Sequence, residues 1–109
     1  MESPLDDLHV KKAGIMAVEQ WLLEKGYQDI EEHEIDGEVE KITAKKDGRT
    51  LVVGVRSSFY PEDPGFLSIE QKQSLITNAM STGGKARLAR VWLNKDLTLK
   101  DKYVMWTKL

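Results

Sequence analysis

Thr50-Leu51-Val52-Val53-Gly54-Val55-Arg56 is the stretch on which the reading of this chain turns. Its near-continuous aliphatic run predicts a strand buried on both faces, which a sheet with one face in water does not require, so helices are expected on either side. Asp47-Gly48 just before it supplies a two-residue hairpin turn, and Val39 to Lys45 is the strand expected to pair across that turn. Further upstream, Gln28 to Ile35 reads as an exposed edge strand because acidic residues break its apolar pattern, and Asp36-Gly37 turns the chain.

Two helices complete the pattern. Ser3-Pro4-Leu5-Asp6 reads as a helix start, with Ser3 as N-cap and Pro4 in the first turn. Leu8, Ile15, Val18 and Leu22 form its apolar stripe, Val10, Ala17 and Trp21 broaden it, and Gly26 stops it. Gly14 lies inside this helix at a cost of about 1 kcal/mol against alanine, which predicts close approach of another element. Ser57 to Leu67, with Pro61 and Pro64, is expected to be a loop. Ser68 then caps a second helix, with Gln71 placed to complete a capping box, and Gly83-Gly84 ends it. Ile69, Lys72, Ile76 and Met80 share one face of that helix, with Leu75 and Ala79 beside it. Ala86 to Leu93 and Lys102 to Lys108 are the last two strands. The expected fold is therefore α/β, in the order α-β-β-β-α-β-β, a mixed sheet flanked by helices in one domain over residues 1–109.

The chain has 109 residues, 40% hydrophobic and 31% charged, which suits a modest single core. No cysteine is present, so disulfides and thiolate metal sites are excluded. Met1-Glu2-Ser3-Pro4 has no basic region followed by an apolar run, and no stretch approaches the ~18 apolar residues of a spanning helix, so a soluble cytoplasmic protein without a membrane partner is expected. A net charge of -2 argues against a general polyanion binder and leaves a local basic face as the route to nucleic acid.

Particular residues resemble the restriction-endonuclease-like superfamily of PD-(D/E)xK nucleases, above all the archaeal Holliday junction resolvases and a small bacterial endonuclease-like family. Ala13-Gly14-Ile15 with Trp21-Leu22-Leu23-Glu24-Lys25-Gly26-Tyr27 is similar to the family's first helix, and Asp36-Gly37-Glu38-Val39-Glu40-Lys41-Ile42 to its Gly-Glu-Ile-Asp segment. Val53-Gly54-Val55-Arg56-Ser57 resembles its Val-Glu-Val-Lys-Ser strand, and Ile69-Glu70-Gln71-Lys72-Gln73 with Gly83-Gly84-Lys85-Ala86-Arg87-Leu88-Ala89 its second helix and next strand. The resemblance covers nearly the whole chain and implies a three-layer nuclease fold.

It also implies a degenerate active site. In the family an aspartate and a glutamate hold Mg²⁺, a lysine activates water and a first-helix glutamate often assists. The matching positions here are Glu40, Gly54, Arg56 and Ile15. Gly54 and Ile15 cannot ligate, and Arg56 stays protonated, so it is no general base although it can clamp a phosphate. Each has a plain structural role beside this one: Glu40 a solvated charge, Gly54 relief of crowding under the second helix, Arg56 a surface ion pair, Ile15 core. His33 near Glu31, Glu34 and Glu38 suggests a weaker His-carboxylate metal site, while His9 reads as an exposed helix residue.

The basic residues Lys45, Lys46, Arg49, Arg56, Lys72, Lys85, Arg87 and Arg90 are the candidate polyanion contacts, and by the family's layout Arg56, Gln71 and Lys72 face nucleic acid. Trp92 and Trp106 suit core packing first, a homodimer contact second and base stacking third. The leading expectation is a catalytically inactive nuclease-fold protein that binds nucleic acid and needs no cofactor. The alternatives are an active Mg²⁺-dependent endonuclease with carboxylates displaced to Glu38 with Glu40, or to Glu19 or Glu62, and a protein-interaction or dimerisation module.

Overall fold

A computed structural model describes residues 4–34 and 40–109. The Ser3 cap, the Asp36-Gly37 turn, the start of the second strand at Val39 and Glu38 lie outside the described residues. The elements run α1 (Pro4–Glu24), β1 (Gln28–Glu34), β2 (Glu40–Lys46), β3 (Arg49–Phe59), α2 (Ile69–Ser81), β4 (Lys85–Leu93) and β5 (Leu99–Lys108). The strands form a five-stranded mixed sheet in the order β1-β2-β3-β4-β5, antiparallel everywhere except between β3 and β4.

Leu51 to Val55 sits in the central strand, as its aliphatic run predicts. Side chains alternate across a strand, and the two sets bury against different helices. Val53 and Val55 pack with Val10, Ile15, Val18 and Leu22 of α1, whereas Val52 packs with Leu75 and Ala79 of α2. The molecule is thus three layers, α1 over sheet over α2.

Close approach explains Gly14. A side chain there would place Cβ 2.6 Å from Ser57 Oγ, and that hydroxyl donates to the Val10 carbonyl at 3.2 Å. At the far end of α1, Gly26 takes a left-handed φ of 90° and the Tyr27 amide donates back to the Leu22 carbonyl at 3.0 Å. The capping box of α2 is present in full: Gln71 N–H donates to Ser68 Oγ at 3.1 Å and Ser68 N–H to Gln71 Oε1 at 2.8 Å.

Three expectations are corrected. The loop expected from Ser57 begins later, because Ser57, Ser58 and Phe59 continue β3 by pairing with Val91, Trp92 and Leu93 of the parallel neighbour. The last strand starts at Leu99 rather than Lys102. The inward face of α2 is Gln71, Leu75 and Ala79, with Ile76 partly covered, while Ile69 and Met80 are 81% and 75% exposed. The capping box turns Gln71 toward the sheet, and its stripe four residues apart follows. Asp29 in β1 and Asp101 in β5 adopt left-handed backbone, with φ of 51° and 55°.

Candidate functional site

Two carboxylates hold one divalent ion only if they project into the same space, so the register of the β2–β3 hairpin decides what the nuclease-like positions can do. Glu40 pairs with Val55, and Lys41 with Gly54. Glu40 therefore shares the α1 face with Val55 and Ser57, whereas Gly54 and Arg56 lie on the α2 face. The structure does not bring Glu40 and Gly54 together. Across from Glu40, on its own face, stand a valine and then a serine, and Ile15 is 6% exposed within the α1-side core.

Around Glu40 is a cleft of about 240 Å³, lined also by Lys11, Val55, Arg56 and Ser57. Its charged side chains are Glu40 and Lys11, because the Arg56 guanidinium turns to the Pro64 carbonyl on the other face. On the other face, a Cβ on Gly54 would lie 2.6 Å from Leu75 Cδ1 and 3.5 Å from Leu67 Cδ1, so the glycine admits the second helix and its loop.

The other carboxylates considered for a displaced site sit elsewhere. Glu62 is exposed in the loop after β3, where its carbonyl accepts from Ser58 Oγ at 2.5 Å. Glu19, on α1, meets Glu32 of β1. Burial, followed by the hydrogen bond and charge of Glu32, pushes the Glu19 carboxyl up to about 7. The raised value fixes the sign of a pH effect. Glu19 contributes stability that is fully present below the ordinary carboxyl range and is lost as pH rises through about 7. Glu19→Gln is therefore expected to flatten the pH dependence of thermal unfolding and to gain about 1 kcal/mol above neutrality, after allowance for solvent screening. Parallel unfolding curves for the two proteins from acid to alkaline pH would remove this pair from the account.

His33 Nε2 lies 3.6 Å from Glu31 Oε2 and 3.4 Å from Thr43 Oγ1, a sparse polar contact on the α2 face. Among the described residues no group of three histidine or carboxylate side chains is placed to hold a metal. His9 is exposed on α1.

Arg56, Gln71 and Lys72 separate into different environments. Gln71 is 7% exposed, its oxygen engaged in the cap. Arg56 Nε donates to the Pro64 carbonyl at 3.0 Å, and only Lys72 is plainly in solvent. Next to Arg56, on the parallel strand, is Arg90, 6% exposed. Its guanidinium ion-pairs with Asp63, donates to the Gly65 carbonyl at 3.1 Å, and lies 4.0 Å and 5.0 Å from the ring centres of Phe66 and Trp92. The Gly65 amide, then Arg90, hold the Asp63 carboxyl below its usual range. These two arginines fasten the Pro61–Leu67 loop to the sheet. The reading of Arg90 as one more basic surface residue missed this; Asp63-Pro64-Gly65, a turn with a carboxylate, was the signal for it. Trp106 packs on Trp21 at 4.7 Å between ring centres and borders the core, as the packing reading expects.

The hairpin end of the sheet gathers three more of the candidate cations. Lys46, Arg49 and Lys85 line a cleft of about 650 Å³ with Asp47, Tyr27, Gly83 and Gly84. Lys46 Nζ stands 5.5 Å from the Tyr27 ring centre. Neither Arg49 nor Lys85 ion-pairs with a carboxylate among the described residues. Gly84 gives the cleft its shape, since a Cβ there would fall 2.2 Å from the Thr50 carbonyl oxygen. No helix among the described residues is long and apolar enough to cross a membrane. No protein-family model and no curated protein sequence matches the chain.

Proposed function

We propose that this chain is a binding domain on a restriction-endonuclease-like frame, that it does not hydrolyse, and that its ligand is nucleic acid. The frame is supported by the element order and by the single parallel pair at the centre of the sheet. The observation that carries the ligand class is the cleft at the hairpin end, where Lys46, Arg49 and Lys85 face one carboxylate in a chain whose net charge is -2. Phosphates attract such a cluster through counterion release, and the Tyr27 ring offers a surface against a base. Against hydrolysis stands the company of Glu40: Val55 and Ser57 bring no second carboxylate, and Arg56 is no general base near neutral pH.

Labelled single-stranded and duplex oligonucleotides, titrated by fluorescence anisotropy at low and moderate salt, test this reading. Binding is expected to be weak and to fall with a log-log salt slope of about -2 to -3, one unit per cation engaged. Arg49→Ala and Lys85→Ala should each weaken it by about threefold to tenfold and reduce the slope by about one. Absence of binding at low salt would reject nucleic acid, and sensitivity to Lys72→Ala in place of these two would move the surface to the α2 face. A hydrolytic reading draws on Glu19 and Glu32, whose carboxyls meet. Nicking of supercoiled DNA that needs Mg²⁺ and disappears in Glu19→Gln or Glu40→Gln would establish it.

A further inference from the structure

The cleft at the hairpin end holds more than cations. Asp47 is its carboxylate, placed in the turn between Lys46 and Gly48 with a left-handed φ of 53°. The backbone there does not call for an acid, since asparagine takes this conformation as readily and Asn-Gly makes the same two-residue turn. Among the described residues Asp47 forms no ion pair with Lys46, Arg49 or Lys85. A negative charge beside three cations weakens the hold of the cleft on phosphate, so it suits a ligand that brings hydrogen-bond donors as well. Tyr27 adds a half-buried ring, packed at the edge of the α1-side core with Lys46 Nζ 5.5 Å from its centre.

We propose that this cleft reads an unpaired guanine, stacked on the Tyr27 ring, with Asp47 accepting from its N1–H and 2-amino group and Lys46 donating to its O6 or N7, a site that rests on the nucleic-acid reading above and adds a base to it. Of the four bases only guanine sets two different donors side by side on one edge, and the two oxygens of a carboxylate accept from both. Its O6 and N7 acceptors follow on the adjoining edge, the pair that lysine and arginine read. Lys46 and Asp47 are neighbours in the chain, so a cation and a carboxylate are offered to adjoining edges of one ring system. Adenine reverses this polarity, turning a lone pair to the carboxylate and an amino group to the lysine. Thymine has one N–H between two carbonyls, and cytosine one amino group beside a bare ring nitrogen. In a duplex the guanine donors are engaged by cytosine and its faces by neighbouring bases, so the base that enters must be single-stranded. Arg49 and Lys85, both exposed, remain for the flanking phosphates.

The test titrates labelled strands of about ten thymidines, plain or carrying one central dG, dA or dC, by fluorescence anisotropy at low salt. The strand with guanine should bind about fivefold to tenfold more tightly than the other three, and a hairpin that pairs the same guanine should lose that advantage. Asp47→Asn keeps the turn and separates two roles: it should erase the preference for guanine while tightening the plain strand about twofold, because a negative charge leaves the cleft. Tyr27→Leu should weaken all four strands about fivefold or more, and Tyr27→Phe should not. Equal affinity for the four strands, or a guanine preference that survives in Asp47→Asn, would overturn the guanine site and leave nucleic-acid binding in place. If no strand bound while 5′-GMP, and not 5′-AMP, gave heat in calorimetry, the guanine site would stand and a nucleic-acid strand as its source would fall. With neither strand nor 5′-GMP bound, both would fall.

Discussion

Gly54→Glu is expected to destabilise the protein by more than about 4 kcal/mol and to leave much of it unfolded at 25 °C, with no new affinity for magnesium. The position is buried, a Cβ there already lies 2.6 Å from Leu75 Cδ1, and the carboxylate would be driven into the apolar layer formed by Val52, Leu75 and Ala79. Gly54→Ala should cost less, about 1 to 2 kcal/mol, since only the end of the Leu75 side chain must turn aside. Urea denaturation with and without Mg²⁺ measures both. If magnesium rescued Gly54→Glu, the new carboxylate would have to reach Glu40, and the assignment of the two residues to opposite faces would fall. The substitution that places a second carboxylate beside Glu40 is Val55→Glu, whose side chain enters the cleft shared with Lys11. Val55 is itself 5% exposed in the α1-side core, so that protein too should lose stability, and magnesium, drawn to the pair of carboxylates, should recover part of the loss, which it should not do for Gly54→Glu.

Arg90→Ala is expected to cost about 2 to 3 kcal/mol, because it opens a cavity beside Phe66 and Trp92 and leaves the Gly65 carbonyl without its donor, while the exposed Asp63 carboxylate turns to water. Asp63 would lose its ion pair, the Gly65 carbonyl its donor, and Phe66 and Trp92 the plane they flank. Arg90→Lys should recover little of this, since a single ammonium cannot donate to Asp63 and Gly65 while lying flat on an aromatic ring. Thermal unfolding gives the global cost. Limited proteolysis locates it: cleavage within Pro61–Leu67 should accelerate well beyond cleavage in the β2–β3 hairpin. Equal acceleration at both places would mean that Arg90 supports the sheet generally and does not fasten the loop.

The central hairpin was legible because two independent signals agree there, the apolar run through Val55 and the Asp47-Gly48 turn. The extension of β3 through Phe59 was not, since Ser57 and Ser58 carry no strand signal of their own and owe their conformation to Val91 and Trp92, far along the chain. The inward face of α2 was misread for a related reason: Ile69, Ile76 and Met80 form as good a stripe as Leu75 and Ala79, and only the sheet beneath selects between them. For the candidate site the decisive fact was present but unread. A two-residue turn pairs Lys46 with Arg49, and counting back along both strands sets Glu40 against Val55. Likeness of letters between two strands carries no information on that parity. The basic cleft at the hairpin end depends on Lys85, which the parallel pairing carries to the level of Leu51, and no local pattern announces it.

The left-handed aspartates in the two outermost strands bear on how the protein behaves when concentrated. Asp29 and Asp101 lie in the edge strands, and each edge strand also breaks register with its neighbour, between Gln28 and Glu31 on one rim and opposite Val91 to Leu93 on the other. Such a kink interrupts the row of unpaired amides and carbonyls on which another chain would template itself. Edge-to-edge growth into fibrils is thereby obstructed on both rims. Restoring straight strands, for example by Asp29→Val with Asp101→Val, should exchange that resistance for a tendency to gel.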